Sequence, residues 1–290
     1  MSRASDSLPL RWDTARPPDQ TPVAIPPARL APLRGGRPLK RWRYVAAFGD
    51  ELMLCAAVAT IGPGRSSWWA VWDRSEQTLH ERTRIAPGPA LARFDHGGRV
   101  RVRDRGVAID LVVDEGAGVE SLNAHGAQYV WTRKQAARPV RGRVTLPGGR
   151  SIELGDDVLA IVDDTAGYHA RATEWWWSAG VGRSDDGAPV GWNLVAGVND
   201  GPAASERSLW VAGAAREVAP VRFADDLSAV TFATGEELRF DAEAVRERHD
   251  RLLLVESEYR QPFGTFSGSL PGVGAVTGGL GVMEHHRARW

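Results

Sequence analysis

From Leu39 onward the chain alternates apolar and polar positions with a period of two, in segments rich in Val, Trp, Tyr, Phe and Thr that end at glycine-containing turns. Successive side chains of an extended strand point to opposite faces, so this alternation predicts β-strands. Trp42, Tyr44, Ala46 and Phe48 share one face, and Trp175, Trp177, Ala179 and Val181 share the corresponding one. Hairpin turns are predicted at 48–50, 96–98, 146–149, 184–187 and 234–235, where Gly and Asp tolerate the positive backbone angles of tight turns. The segment 241–251 has helical composition, but its apolar residues are too sparse for an amphipathic stripe. It reads as the polar outer part of a long strand pair.

The pattern is stated twice. Trp42-Arg43-Tyr44-Val45-Ala46-Ala47-Phe48 returns as Trp175-Trp176-Trp177-Ser178-Ala179-Gly180-Val181, and each copy runs through a polar turn into a second apolar run, 52–58 and 190–196. Near the ends, Thr145-Leu146-Pro147-Gly148 returns as Ser269-Leu270-Pro271-Gly272, and His169-Ala170-Arg171-Ala172 as His285-His286-Arg287-Ala288, the latter just before Trp290. A spacing this long marks a duplicated domain, since solenoid repeats run roughly 20–50 residues. Two such units predict an all-β protein of two tandem antiparallel barrels, closed or nearly so, because closure removes exposed strand edges. The expected boundaries are a Pro-rich N-terminal arm at 1–36, extended or disordered, a first barrel at 37–166 and a second at 167–290. Trp12 and the 23–25 run are placed to lie against a barrel wall.

Composition narrows the function classes. Net charge is zero, which removes the electrostatic argument for nucleic acid or an anionic membrane surface. No apolar run approaches the roughly 20 residues of a transmembrane helix, and the first residues lack a signal-peptide core, so a cytoplasmic location is expected. Cys55, the single cysteine, lies mid-run and reads as a small buried residue. Phosphate-cradling loops, a Gly-x-Gly-x-x-Gly turn, a nucleophile elbow and zinc-ligand spacings are missing from the sequence, so no cofactor and no metal are expected.

Several stretches resemble a known family: Lys40-Arg41-Trp42-Arg43-Tyr44, Trp131-Thr132-Arg133-Lys134-Gln135, Thr173-Glu174-Trp175-Trp176-Trp177, Gly191-Trp192-Asn193-Leu194 with Gly197-Val198-Asn199-Asp200, Arg260-Gln261-Pro262-Phe263-Gly264 and Gly281-Val282-Met283-Glu284-His285-His286. Together they resemble the domain-of-unknown-function family 2804, over most of the chain from about Arg37. More distantly, the Glu-Trp-Trp strand is similar to that of the hydroxyneurosporene synthase (carotenoid hydratase) and AttH-like proteins. That likeness implies barrels of the lipocalin-like, calycin kind and a habit of handling large hydrophobic ligands, sometimes by acid chemistry on a carbon–carbon double bond or by ring closure. It transfers no catalytic residue.

With 12 tryptophans the chain can line a pocket for a lipid or isoprenoid, with core packing as the competing role. The expected ligand-binding residues are Trp42, Tyr44, Trp175, Trp177 and Trp192, with Arg133 and Lys134 at a strand end to hold an anionic group; Trp68, Trp69 and Trp72 are expected at a rim. Glu174, beside three indoles, is the expected proton donor, its pKa raised by an apolar cavity, unless it pairs with an arginine such as Arg171. His169 and His286 are the expected proton shuttles. Glu284 and His285 join them near the closing strand, although adjacent His285 and His286 cannot enter one pocket. Asp163-Asp164 and Asp225-Asp226 read as turns.

The favoured partner is a hydrophobic small molecule enclosed by the protein, with turnover left open. A hydratase, isomerase or cyclase is the first alternative, and a glycan-binding or glycan-modifying protein using tryptophan platforms is the second. An inward carboxyl without a cationic partner would favour the enzyme, a wholly apolar cavity the carrier, and tryptophans along an open groove the glycan.

Overall fold

The computed structural model describes residues 8–17, 21–85, 88–252 and 255–289, and among them every regular element is a β-strand. Trp290 lies outside the described residues. Two large antiparallel sheets share one design. In the first, the meander Lys40–Phe48, Leu52–Ile61, Gly64–Asp73 and Thr78–Ile85 runs outward from the centre. On the other side Leu159–Gly167, Gln128–Thr145, Val107–Val113, Arg99–Asp104 and Ala92–Phe94 run outward in reverse chain order. The second sheet repeats this with Ala172–Arg183, Pro189–Ala196, Ser208–Val211 and Ala214–Glu217 on one side. Thr277–Arg289, Val255–Leu270, Glu237–Leu252, Ala229–Phe232 and Val221–Phe223 lie on the other. Each half therefore opens and closes at a central strand pair, and the duplication read from the sequence is a duplication of topology.

All five predicted turns join paired strands. The 241–251 segment lies in the long ladder of Glu237–Leu252 with Val255–Leu270, where no helix forms. Each sheet curls on itself: Ala92–Phe94 packs over Leu52–Ile61 and Gly64–Asp73, and the Leu91 amide donates to Ser67 Oγ at 2.9 Å. The curl leaves each half a partly closed barrel.

Alternation along the central strands divides their side chains between two environments. Val45, Ala47, Leu52, Leu54 and Ala56 enter the first barrel's interior, whereas Tyr44, Ala46, Phe48, Met53, Cys55 and Ala57 face the other half. In the second half Val190, Trp192 and Leu194 fill the barrel interior, whereas Trp177, Ala179, Val181 and Val195 face the first half. The runs 52–58 and 190–196 are almost wholly apolar because both faces are buried, and the one polar residue, Asn193, accepts from Trp177 Nε1 and donates to the Glu206 carbonyl. The two faces marked by the repeated tryptophans thus meet each other at a seam, and Tyr44 and Trp177 touch there edge to face, 5.6 Å between ring centroids.

The leader joins this seam. Leu10–Trp12 pairs antiparallel with Val119–His125, and Val23, Ile25 and Leu30 pack with Trp12 against Leu122, Tyr129, Trp131 and Tyr168. Arg11 reaches the second half, donating to the Ser205 carbonyl at 2.6 Å and the Arg207 carbonyl at 3.0 Å.

Candidate functional site

A cavity of about 250 Å³ opens between the two sheets, walled by the same strand faces that form the seam. Trp42, Tyr44, Trp68, Lys134, Asp163 and His169 contribute from the first half; Trp175, Trp177, Arg246, Tyr259, Glu284 and His286 contribute from the second. Its lining is mostly apolar, with a few convergent polar groups, as small-molecule sites are built.

Glu284 is the principal ionisable group. It stands on the closing strand opposite Trp177, only 8 % exposed. Trp175 Nε1 donates to its Oε1 at 2.8 Å, and Gln261 Nε2 donates to its Oε2 at 2.7 Å. It forms no ion pair among the described residues. Burial pushes its pKa up to about 7, outweighing the two hydrogen bonds that favour the ionised form. Tyr44 fixes the amide, since its hydroxyl donates to Gln261 Oε1 at 3.3 Å. His286, two residues on, lies on the same face, its ring 4.2 Å from that of Trp175 and its Nε2 2.8 Å from Ser257 Oγ. Burial pushes His286 down to about 3, so the ring is neutral in the folded protein. Tyr259 closes over it at 5.3 Å and is held well above its ordinary value, chiefly by burial.

On the first-half side, Lys134 Nζ lies 2.8 Å from Asp163 Oδ1 and 3.5 Å from Glu206 Oε1. Burial works against its charge, but Asp163 and Glu206 outweigh burial and hold Lys134 above its ordinary value. His169 packs tilted against Trp42, 4.9 Å between ring centroids, and burial with nearby His125 keeps it well below the usual imidazole range. Burial, with help from the charge of Arg37, lowers Lys40 to about 6. The cavity therefore holds a buried carboxyl raised to about 7, neutral imidazoles, the Lys134 cation between Asp163 and Glu206, and Arg246 and Arg248, which pair with Glu81 and Asp250.

The structure brings together Trp42, Tyr44, Trp175, Trp177, Lys134, His169 and His286 on the cavity wall. It keeps Glu174, Trp192 and Arg133 away from it. Glu174 precedes Trp175 on its strand and so faces the other way, where Arg287 at 2.8 Å and His285 at 2.9 Å pair with it. These hydrogen bonds, Arg287's first, pull its pKa below the usual carboxylate range, the opposite of what an acid catalyst needs. Arg171 is not its partner. Trp192 is fully buried in the second barrel's own core, its ring 4.9 Å from Phe266. Arg133 neighbours Lys134 and projects to the outer side, bonded to Asp164 at 2.8 Å and Glu115 at 2.9 Å. Both residues sit mid-strand within Gln128–Thr145, not at a strand end.

Other expectations shift as well. Trp69 is buried in the first core and Trp72 at the seam, so only Trp68 reaches the cavity. Asp163 and Asp164 are strand residues on opposite faces, while Asp225 and Asp226 do form a turn. His285 and His286 separate as parity requires, one to each face. The sequence reading of single sites passed over Asp163, Arg246, Tyr259 and Glu206, and named Glu284 only as one of a cluster. Pairing the repeated strands by register would have drawn out the two carboxyls.

Two curled antiparallel sheets meeting face to face define the tandem lipocalin-like architecture of AttH-like proteins. A crystal structure of a putative AttH from Nitrosomonas europaea is similar over 90 % of this chain and 98 % of its own, with a TM-score of 0.54 and 15 % identity. Kievitone hydratase from Nectria haematococca is similar over 85 % of this chain and 88 % of its own, with a TM-score of 0.55 and 10 % identity. The chain belongs to the family described as domain of unknown function (DUF2804), whose sequence model matches residues 92–290. No curated protein matches it significantly in sequence. Among the described residues no helix is long and apolar enough to cross a membrane.

Proposed function

We propose that this protein is an enzyme that binds an alkene-bearing hydrophobic small molecule, of the lipid or isoprenoid class, in the seam cavity and protonates it from Glu284. One observation carries the reading: a buried carboxyl, held by two neutral donors, points into an indole-lined cavity. A carrier needs no such group, and burying a carboxyl costs stability that apolar packing would not. A carboxyl with a pKa near the working pH is both protonated and able to give its proton up. The indole of Trp175, whose Nε1 holds the acid, would face the cation formed by protonation, and aromatic faces attract cations. Kievitone hydratase, which shares the fold, is a hydratase by name.

The test uses farnesol as probe, in deuterated water and in water labelled with heavy oxygen, with mass-spectrometric readout of deuterium incorporation and water addition. Turnover by the wild-type chain should be flat at low pH and fall above about pH 7 as Glu284 ionises. Glu284→Gln should lower the rate by roughly 10²–10⁴-fold. Equal turnover by Glu284→Gln would remove the acid role. Stoichiometric retention of farnesol without turnover would return the protein to the carrier reading.

A further inference from the structure

Superposing the two halves by strand register places their polar groups in correspondence. Trp42 pairs with Ala59 and Thr165, Tyr44 with Ala57 and Asp163. In the second half Trp175 pairs with His286, and Trp177 pairs with Val195 and Glu284. Aligned on Trp42 and Trp175, Tyr44 matches Trp177, Asp163 matches Glu284, and Thr165 matches His286. On the next strand over, Lys134 lies opposite Asp163, and Gln261 takes the same place beside Glu284. The contacts repeat as well as the positions. Trp42 Nε1 donates to Asp163 Oδ2 at 3.4 Å, as Trp175 Nε1 does to Glu284. Lys134 donates to Asp163, as Gln261 does to Glu284. Tyr44 donates across the seam to Gln261, and its counterpart Trp177 faces Lys134 across the seam, 6.0 Å from the ring centroid to Nζ. Because the matched residues Tyr44 and Trp177 touch each other, the seam carries a pseudo-twofold axis between the two arms.

The arms differ in one decisive respect. The neighbour of Asp163 is a cation and the neighbour of Glu284 is a neutral amide. The geometry points to an acid–base pair made from one duplicated carboxyl: Glu284 is the proton donor, and Asp163, ion-paired with Lys134, is the base that faces the same ligand from the opposite arm. This assignment rests on the acid reading of the cavity and adds its second half. In a hydration, the Glu284 O–H bond breaks as its proton forms a C–H bond with the alkene π pair. Water oxygen then forms the C–O bond to the resulting cation and gives its extra proton to Asp163. A proton passes from Asp163 to solvent and from solvent to Glu284, so the net change is the addition of one water. An oxygen newly bonded to a carbocation is strongly acidic, so an ion-paired carboxylate is basic enough to accept from it. The same carboxylate taking a proton from a neighbouring carbon gives an isomerisation.

The test needs two readouts on the full chain. Infrared titration of protonated carboxyls reports the pair without a substrate. The wild-type protein should show a buried acid titrating near pH 7 that is absent in Glu284→Gln. Asp163→Asn should move that titration to lower pH, since Asp163's charge is among the causes that raise Glu284. Lys134→Gln, which gives Asp163 the neutral partner of the other arm, should add a titrating acid that Lys134→Gln combined with Asp163→Asn lacks, which separates it from Glu206, the other carboxyl beside Lys134. In the farnesol assay Asp163→Asn should lose at least 100-fold in water addition, with recovery in Asp163→Glu; circular dichroism checks that each variant folds. An unmoved Glu284 titration in Asp163→Asn, together with no new acid in Lys134→Gln, overturns the pairing whether or not farnesol reacts. A moved titration with undiminished turnover in Asp163→Asn overturns the base role and leaves the Glu284 acid standing. No reaction in any protein, with the titrations as expected, overturns the acid reading and its base together while the charge coupling holds.

Discussion

The two halves share a strand order yet fill their interiors differently. The first barrel is packed with Val, Leu, Ile and Ala around Trp69, whereas the second gathers Trp192, Phe223, Phe232, Phe240 and Phe266. Register shows how one template tolerates both. Ala47 lies opposite Leu54 in the first half, and Gly180 lies opposite Trp192 at the matching place in the second. The larger partner came with a smaller neighbour, because a Cβ on Gly180 would stand 2.3 Å from the Trp192 ring. Interiors must be filled to crystal-like density, so changes there compensate in volume. At the seam the halves differ in charge instead, and the space between them stays open. Packing constrains the barrel interiors, whereas the polar groups of the seam differ between the halves.

That contrast can be broken first at its largest element. Trp192→Ala should cost about 3–5 kcal/mol in urea unfolding, as large buried aromatics do. A small loss would show that the second interior is loosely packed. At the seam, Glu284→Gln should stabilise the protein. Glu284 is raised to about 7 in the fold from an ordinary 4.5, so the native state holds a proton that the unfolded chain releases between those values. Stability therefore falls as pH rises through that window, and the variant's gain should grow from near zero at pH 4 to at most about 3 kcal/mol at pH 8. A pH-independent gain would mean Glu284 is not raised. Gly180→Ala should cost about 1–3 kcal/mol by overpacking. Adding Trp192→Leu, which imports the first half's pair, should recover much of that loss relative to Trp192→Leu alone, and additive costs would contradict the volume exchange. Glu174→Gln, on the outer face, should leave farnesol turnover and its pH profile unchanged.

Strands, turns and the duplication were legible because each depends on local period and turn chemistry, whereas the Pro-rich leader has no such period and its strand pairing with Val119–His125 was not legible. Parity along a strand was legible too, and it separated His285 from His286; the same rule places Glu174 and Trp175 on opposite faces, and Arg133 and Lys134 likewise. What a single strand does not reveal is which face meets its own barrel and which meets the other half. Trp192 and Trp177 look alike in the sequence, yet one is core and the other cavity wall. Asp163 was hidden for a related reason: paired aspartates suit turns, and only the ladder with Tyr44 and Lys134 shows that one of them sits mid-strand in the seam.

The contact between Tyr44 and Trp177 has an implication for ancestry. A single-unit forerunner meeting its own copy across that axis would form a symmetric homodimer, with identical carboxyls bound to identical neighbours. Such an assembly has no means of encoding a proton on one side and its absence on the other, because any replacement appears in both chains at once. Joining the two copies in one polypeptide lifts that restriction, and a lysine at one position against a glutamine at its twin is what the release makes possible.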